Sequence, residues 1–260
     1  MKIAVTGKGG VGKTTLSAIL ARLYADEGRT VLCADADPDA NLGLALGFSE
    51  EEIEDITPLA RMNDLIAERT GTTKENYGKF FKINPRVDDI PDRFAAEKNG
   101  VRLLVMGTVE SGGGGCVCPE NVMLKRVISH LVIARDEVVI LDMEAGLEHL
   151  GRGTADFVDR FIVVIEPGAR SVQTYKKIKR LAFDIGVKNI SVVANKARTE
   201  DDERFLRERI PEGELLGMIR YSAQVIDADR LGVSPYDTSG ETVEAIKNIK
   251  QRIDAMKGVK

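Results

Sequence analysis

Nine residues near the start of the chain, Gly7-Lys8-Gly9-Gly10-Val11-Gly12-Lys13-Thr14-Thr15, bring glycines, lysines and hydroxyls together at the spacing a phosphate-binding loop requires. Glycine lets the backbone bend until its N–H groups converge on phosphate oxygens, and a helix N-terminus behind them adds a favourable partial positive charge. In such a loop Gly9, Gly10, Val11, Gly12, Lys13, Thr14 and Thr15 bind the nucleotide. Lys13 reaches the β- and γ-phosphates, and the Thr14 hydroxyl ligates Mg²⁺, a hard cation that takes oxygen ligands.

Three further clusters carry chemistry. Asp35 and Asp37 end an apolar run, and Pro38 restricts Asp37 to extended backbone, which helps to fix its carboxylate. Asp142 closes Val138-Val139-Ile140-Leu141, the pattern of a buried strand whose terminal carboxylate holds Mg²⁺ through water. Cys116 and Cys118 follow four consecutive glycines and directly precede a helix, where a thiol pKa is lowered. Two thiolates do not complete a tetrahedral site for Zn²⁺ or a similar soft ion. A two-fold axis through that loop would supply both cysteines twice. His130 and His149 offer no helpful spacing as further ligands, and a disulfide across one intervening residue would be strained. Cys33, inside an apolar run, reads as a small buried hydrophobe.

The elements that must position these groups can be read from periodicity. Ile3-Ala4-Val5 is a strand, and Leu16, Ile19, Leu20 and Leu23 mark the helix after the loop. Further strands are expected at 30–34, 101–106, 137–142, 160–165, 191–194 and 215–219, with helices over 124–132, 171–185 and 243–256. Strands alternating with helices predict an α/β fold, a mostly parallel central sheet with helices on both faces, in a single domain over 1–260. The ligand loops then all follow carboxyl ends of strands, where open α/β sheets bind their ligands. Residues 49–55 read as a solvated acidic stretch. Residues 56–100 say least; a helix is expected near 61–69 and extended pieces near 80–83.

With 37 basic and 41 acidic residues the chain has a net charge of −4, which advertises neither nucleic acid nor an anionic membrane as partner. No apolar run spans a bilayer, and the first strand begins directly after Met1, so a cytoplasmic protein is expected. Three cysteines in a reducing compartment point to metal or redox chemistry rather than to disulfides. The lysines at 176, 177 and 179 with Arg180 read as a solvated helix face.

The whole string from Lys8 to Thr15 resembles the deviant P-loop NTPases, the class of MinD, ParA and the nitrogenase iron protein. That resemblance implies that Lys8 crosses a dimer interface to the partner's nucleotide, as an arginine finger does. It implies that Asp37 orients the attacking water, with Asp35 and Asn41 in support. The segment from Met143 to Gly153 resembles a switch II loop, in which a backbone N–H at Gly146 approaches the γ-phosphate. Asn195, followed by Lys196, matches the asparagine that reads adenine in that class, and Arg220-Tyr221-Ser222 would line the base pocket.

Within the class, Lys8, Asp35-Ala36-Asp37-Pro38, Cys116-Val117-Cys118 and Asp142-Met143-Glu144-Ala145-Gly146-Leu147-Glu148-His149-Leu150 resemble the CooC/AcsF-type nickel-insertion ATPases. These serve carbon monoxide dehydrogenase and acetyl-CoA synthase. The resemblance implies hydrolysis of ATP to ADP and phosphate, a nucleotide-controlled homodimer, and one Ni²⁺ or Zn²⁺ held by Cys116 and Cys118 of two protomers. Two other readings stay open: an iron–sulfur electron-transfer ATPase, whose cysteines would come from separate loops, and a MinD/ParA-like positioning ATPase, in which the cysteine pair has no role.

Overall fold

A computed structural model describes residues 1–72, 81–108, 118–145, 150 and 152–257. Cys116, Gly146 and His149 lie outside the described residues.

Eight strands form one sheet in the order β3-β4-β2-β5-β1-β6-β7-β8. In chain order they are β1 (Lys2–Gly7), β2 (Val31–Ala36), β3 (Ala96–Lys98), β4 (Val101–Val105), β5 (Val138–Met143), β6 (Arg160–Ile165), β7 (Ile190–Ala197) and β8 (Leu215–Arg220). All pairings are parallel except β3 with β4. A parallel sheet needs cover on both faces, and the alternation of side chains divides the apolar residues into two cores. Ile3, Val5, Cys33 and Ile140 face α1 (Lys13–Asp26), the short α2 (Leu42–Leu46) and the last helix. Ala4, Leu32, Leu141, Val163 and Val192 face the opposite layer. Each fully buried Leu, Ile or Val stabilises the fold by about 1.5–3 kcal/mol.

The residues between β2 and β4 hold structure that sequence did not reveal. The acidic stretch at 49–55 is α3 (Glu50–Glu54), started by a capping box in which Ser49 and Glu52 satisfy each other's backbone N–H. The helix expected near 61–69 is α4 (Asn63–Thr70). The described residues at 81–83 carry no strand; the chain instead forms α5 (Ile90–Phe94) and the antiparallel edge strand β3. This flank is tied down by ion pairs. Arg69 grips Asp89 with two 2.8 Å bonds, and Arg135 grips Asp92 likewise, while Arg102 also reaches Asp92.

The remaining helices are α6 (Pro119–Ile133), α7 (Arg152–Ala155), α8 (Ala169–Asp184), α9 (Glu200–Arg209), α10 (Ala223–Leu231), α11 (Pro235–Thr238) and α12 (Gly240–Lys257). The α12 face with Ile246, Ile249 and Ile253 packs against the sheet, and Lys250 reaches Glu27 at 2.6 Å beside α1. No helix among the described residues is long and apolar enough to cross a membrane.

Candidate functional site

The loop between β1 and α1 opens at the carboxyl edge of the sheet, next to the ends of β2 and β5. Gly12, the N-cap of α1, has φ +95°, and a Cβ there would lie 2.2 Å from Asn195 Nδ2. Only glycine fits. No side chain caps this helix start, so its first N–H groups are available to an anion. The loop lines a cavity of about 490 Å³ with Lys13, Thr14, Asp37, Lys196 and Ile226 among its walls.

Lys13 is buried, and its Nζ lies 3.3 Å from Asp37 Oδ2. Asp37 Oδ1 accepts the Asp39 N–H at 3.1 Å, so this carboxylate is oriented from both sides. Two residues expected from sequence to act on the same phosphate end are thus in contact. Asn41 is exposed, and its amide donates to Asp39 O at 2.8 Å.

Behind this pair, β2 and β5 place Asp35 directly opposite Asp142. Both are buried. Asp35 accepts N–H groups from Asp37 at 3.2 Å and Leu42 at 2.9 Å, yet burial and the neighbouring Asp142 push its pKa up to about 7. Burial pushes Asp142 up to about 6, against the opposing pull of Thr14, Lys13 and Ser17. Ser17 Oγ donates to Asp142 Oδ1 at 3.2 Å, whereas Oδ2 is buried without a hydrogen-bond partner among the described residues. Two crowded carboxylates with an unused oxygen, flanked by the Thr14 hydroxyl, are the donor set a hard divalent cation takes, so the residues fit Mg²⁺. Ser17 was not singled out from sequence. Its place three residues after Thr14, on the same helical face, was the available signal.

The β5 end is tied to β1: Thr6 Oγ1 donates to Glu144 O at 2.6 Å. On the other flank, each half of the Asn195 amide holds one backbone group of its surroundings. Its Nδ2 donates to Val11 O at 2.8 Å and its Oδ1 accepts the Lys196 N–H at 2.8 Å. One N–H of Nδ2 and one lone pair of Oδ1 remain beyond these two bonds. Lys196 Nζ donates to Gly10 O. A narrow apolar slot of about 100 Å³ lies beside them, lined by Leu16, Tyr221, Ile226 and Ile246. Arg220 and Ser222 also border it, and the Arg198 guanidinium stacks 4.0 Å over the Tyr221 ring.

Lys8 is exposed at the tip of the loop and does not line the cavity; its carbonyl accepts the Val11 N–H at 3.4 Å. Cys118 is the half-buried N-cap of α6. Among the described residues no group of three or more His, Cys, Asp or Glu is arranged to hold a metal ion.

Residues 2–235 match the model of the CobQ/CobB/MinD/ParA nucleotide binding domain. The chain is 48% identical over 239 residues to the carbon monoxide dehydrogenase accessory protein CooC of Rhodospirillum rubrum, covering 92% of this chain and 90% of that one. It is 47% identical over 260 residues to an uncharacterized ATP-binding protein of Methanocaldococcus jannaschii, covering 99% of each. Among solved structures, MinD in the MinC:MinD complex of Aquifex aeolicus superposes with a TM-score of 0.69 at 18% identity, covering 98% of this chain and 96% of that one. MinD from Pyrococcus horikoshii with Mg-ADP gives 0.64 at 21% identity, with 99% and 98% covered. These two likenesses speak for the fold.

Proposed function

This chain belongs to the CobQ/CobB/MinD/ParA nucleotide-binding family and is a CooC-type ATPase within it, and from that premise we propose a homodimeric metallochaperone that delivers nickel into carbon monoxide dehydrogenase or acetyl-CoA synthase. The ATPase is one domain over 1–260. Its phosphate end is bound by Gly9, Gly10, Val11, Gly12, Thr14 and Thr15, with Gly146 supplying an N–H from the switch II loop.

Lys13 serves the β- and γ-phosphates. Its 3.3 Å contact with Asp37 supports an exchange mechanism: phosphate oxygens take the lysine, and the released carboxylate turns to the attacking water, orients it and accepts its proton. Binding the substrate thereby activates the base. Mg²⁺ would be held by Thr14 and, through water, by Asp142, and would supply positive charge at the phosphate end. Thr6 Oγ1 fastens the Glu144 carbonyl, at the start of the segment that resembles switch II, to β1. Lys8, exposed at the loop tip, is free to cross to a partner's nucleotide.

The metal is cargo, held between two protomers as Ni²⁺ or Zn²⁺ by four thiolates. The observation that carries this reading is Cys118 at the N-terminus of α6, with Cys116 two residues before it, in a chain 48% identical to a carbon monoxide dehydrogenase accessory protein. Thiolates gathered on an axis repel until a cation sits among them, so metal binding and dimerisation are coupled. Metal analysis together with solution mass, with and without nucleotide, tests it. One metal per two chains is expected, and C116S/C118S should lose the metal and abolish client activation. Unchanged metal content in that double variant would sink the proposal.

A further inference from the structure

Asn195 and Lys196 are consecutive at the end of β7, and both reach the phosphate loop. A regular strand forbids this, because successive side chains leave opposite faces. Here the register of β7 against β8 slips between Ala194 and Ala197, and Lys196 takes a left-handed backbone with φ +60°. The slip brings both side chains to one side. Asn195 then holds the Val11 carbonyl and Lys196 Nζ the Gly10 carbonyl, while Asn195 Oδ1 ties the two residues together through the Lys196 N–H.

The peptide plane gives these contacts a consequence. C=O and N–H of one trans peptide point in opposite directions. With the Val11 carbonyl bound to Asn195, the Gly12 N–H must point away from Asn195. The Gly10–Val11 peptide is fixed at both ends, its carbonyl by Lys196 and its N–H by Lys8 O. A Cβ at Gly12 would run into the Asn195 amide, so glycine is what lets the loop approach it this closely. A non-glycine residue kept in a left-handed conformation marks a place where geometry is maintained against strain.

We infer that Asn195 and Lys196 are positioning residues that hold the phosphate loop in its anion-ready form from the protein side, so that Lys196 acts on the phosphate end of the nucleotide through the loop. This rests on the reading of the loop as the ATP phosphate site. The device separates two roles that one residue usually combines, because the backbone of Lys196 would be more relaxed as glycine while its side chain would be lost.

Inorganic tripolyphosphate, which has no base or ribose, is the discriminating probe. With Lys196→Gly, the melting temperature should stay level or rise while affinity for tripolyphosphate and for ATP both fall about tenfold. In turnover the loss should appear mainly in KM, and Lys196→Arg should stay within about threefold of the parent. If Lys196→Gly does not fold, Lys196→Met carries the same comparison. Unchanged tripolyphosphate affinity in these variants overturns the inference, whether or not ATP affinity falls, because a lone loss for ATP would place Lys196 on the nucleoside. A parent protein that binds neither ATP nor tripolyphosphate would instead overturn the ATP reading of the loop.

Discussion

The pairing of Lys13 with Asp37 separates nucleotide binding from hydrolysis at the level of single residues. Asp37→Asn keeps the shape and removes the charge that competes for Lys13. ATP affinity should be retained or rise, while kcat falls at least about a hundredfold, in the range for loss of a positioned general base. Equilibrium binding and steady-state kinetics on one preparation check this, and equal losses in both would rule it out. Asp142 was legible from sequence because an apolar run must end somewhere and a carboxylate ended it. Asn195 was singled out from sequence, but its partner was not: which carbonyl it holds depends on a slipped register between two strands, and local sequence does not encode such a slip.

At the scale of elements, the flank between β2 and β4 hangs on arginine–carboxylate pairs. Asp92 is held well below the usual carboxylate range, first by its hydrogen bonds to Arg135 and then by those to Arg102. Asp89 is held down by Arg69 and then Arg93. A carboxyl whose folded pKa is depressed stabilises the fold above its unfolded value near 4, and that contribution is lost as pH falls toward the folded value. Asp92→Asn should therefore be less stable than the parent at pH 7, by about 1 kcal/mol for a partly exposed pair, and the gap should be narrower at about pH 3. Denaturant melts at both pH values test this. Arg135→Ala should cost more, because Glu137 beneath it is buried and would lose a partner. A smaller effect is expected at α3, where Ser49→Ala removes one capping bond worth about 1 kcal/mol.

Seven strands could be read as apolar runs, since a sheet covered on both faces requires them. The eighth could not. Ala96-Glu97-Lys98 is a short, half-exposed edge, and nothing in three such residues distinguishes a strand from a turn.

For the whole molecule, the proposed dimer predicts a mass that depends on nucleotide. ATP should roughly double the solution mass, and Lys8→Ala should reduce that response while leaving monomer stability within about 0.5 kcal/mol, as for an exposed residue. A mass indifferent to both ATP and Lys8 would overturn the two-chain site. Sequence pointed to this level through residue types, a lysine at position 8 and a pair of cysteines at 116 and 118. The proposed arrangement across an axis is a property of two chains and is not written in the fold of one.

The Lys13–Asp37 contact also bears on selectivity among the anions a cell contains. A carboxylate tethered in the same chain competes at an effective concentration on the order of millimolar or more. A single orthophosphate or sulfate, offering one point of attachment, must outbid that internal rival at each encounter. A triphosphate engages the backbone cradle at several points and can displace it. The loop is in this way screened against the small anions that surround it, and admits the ligand long enough to reach across its full span.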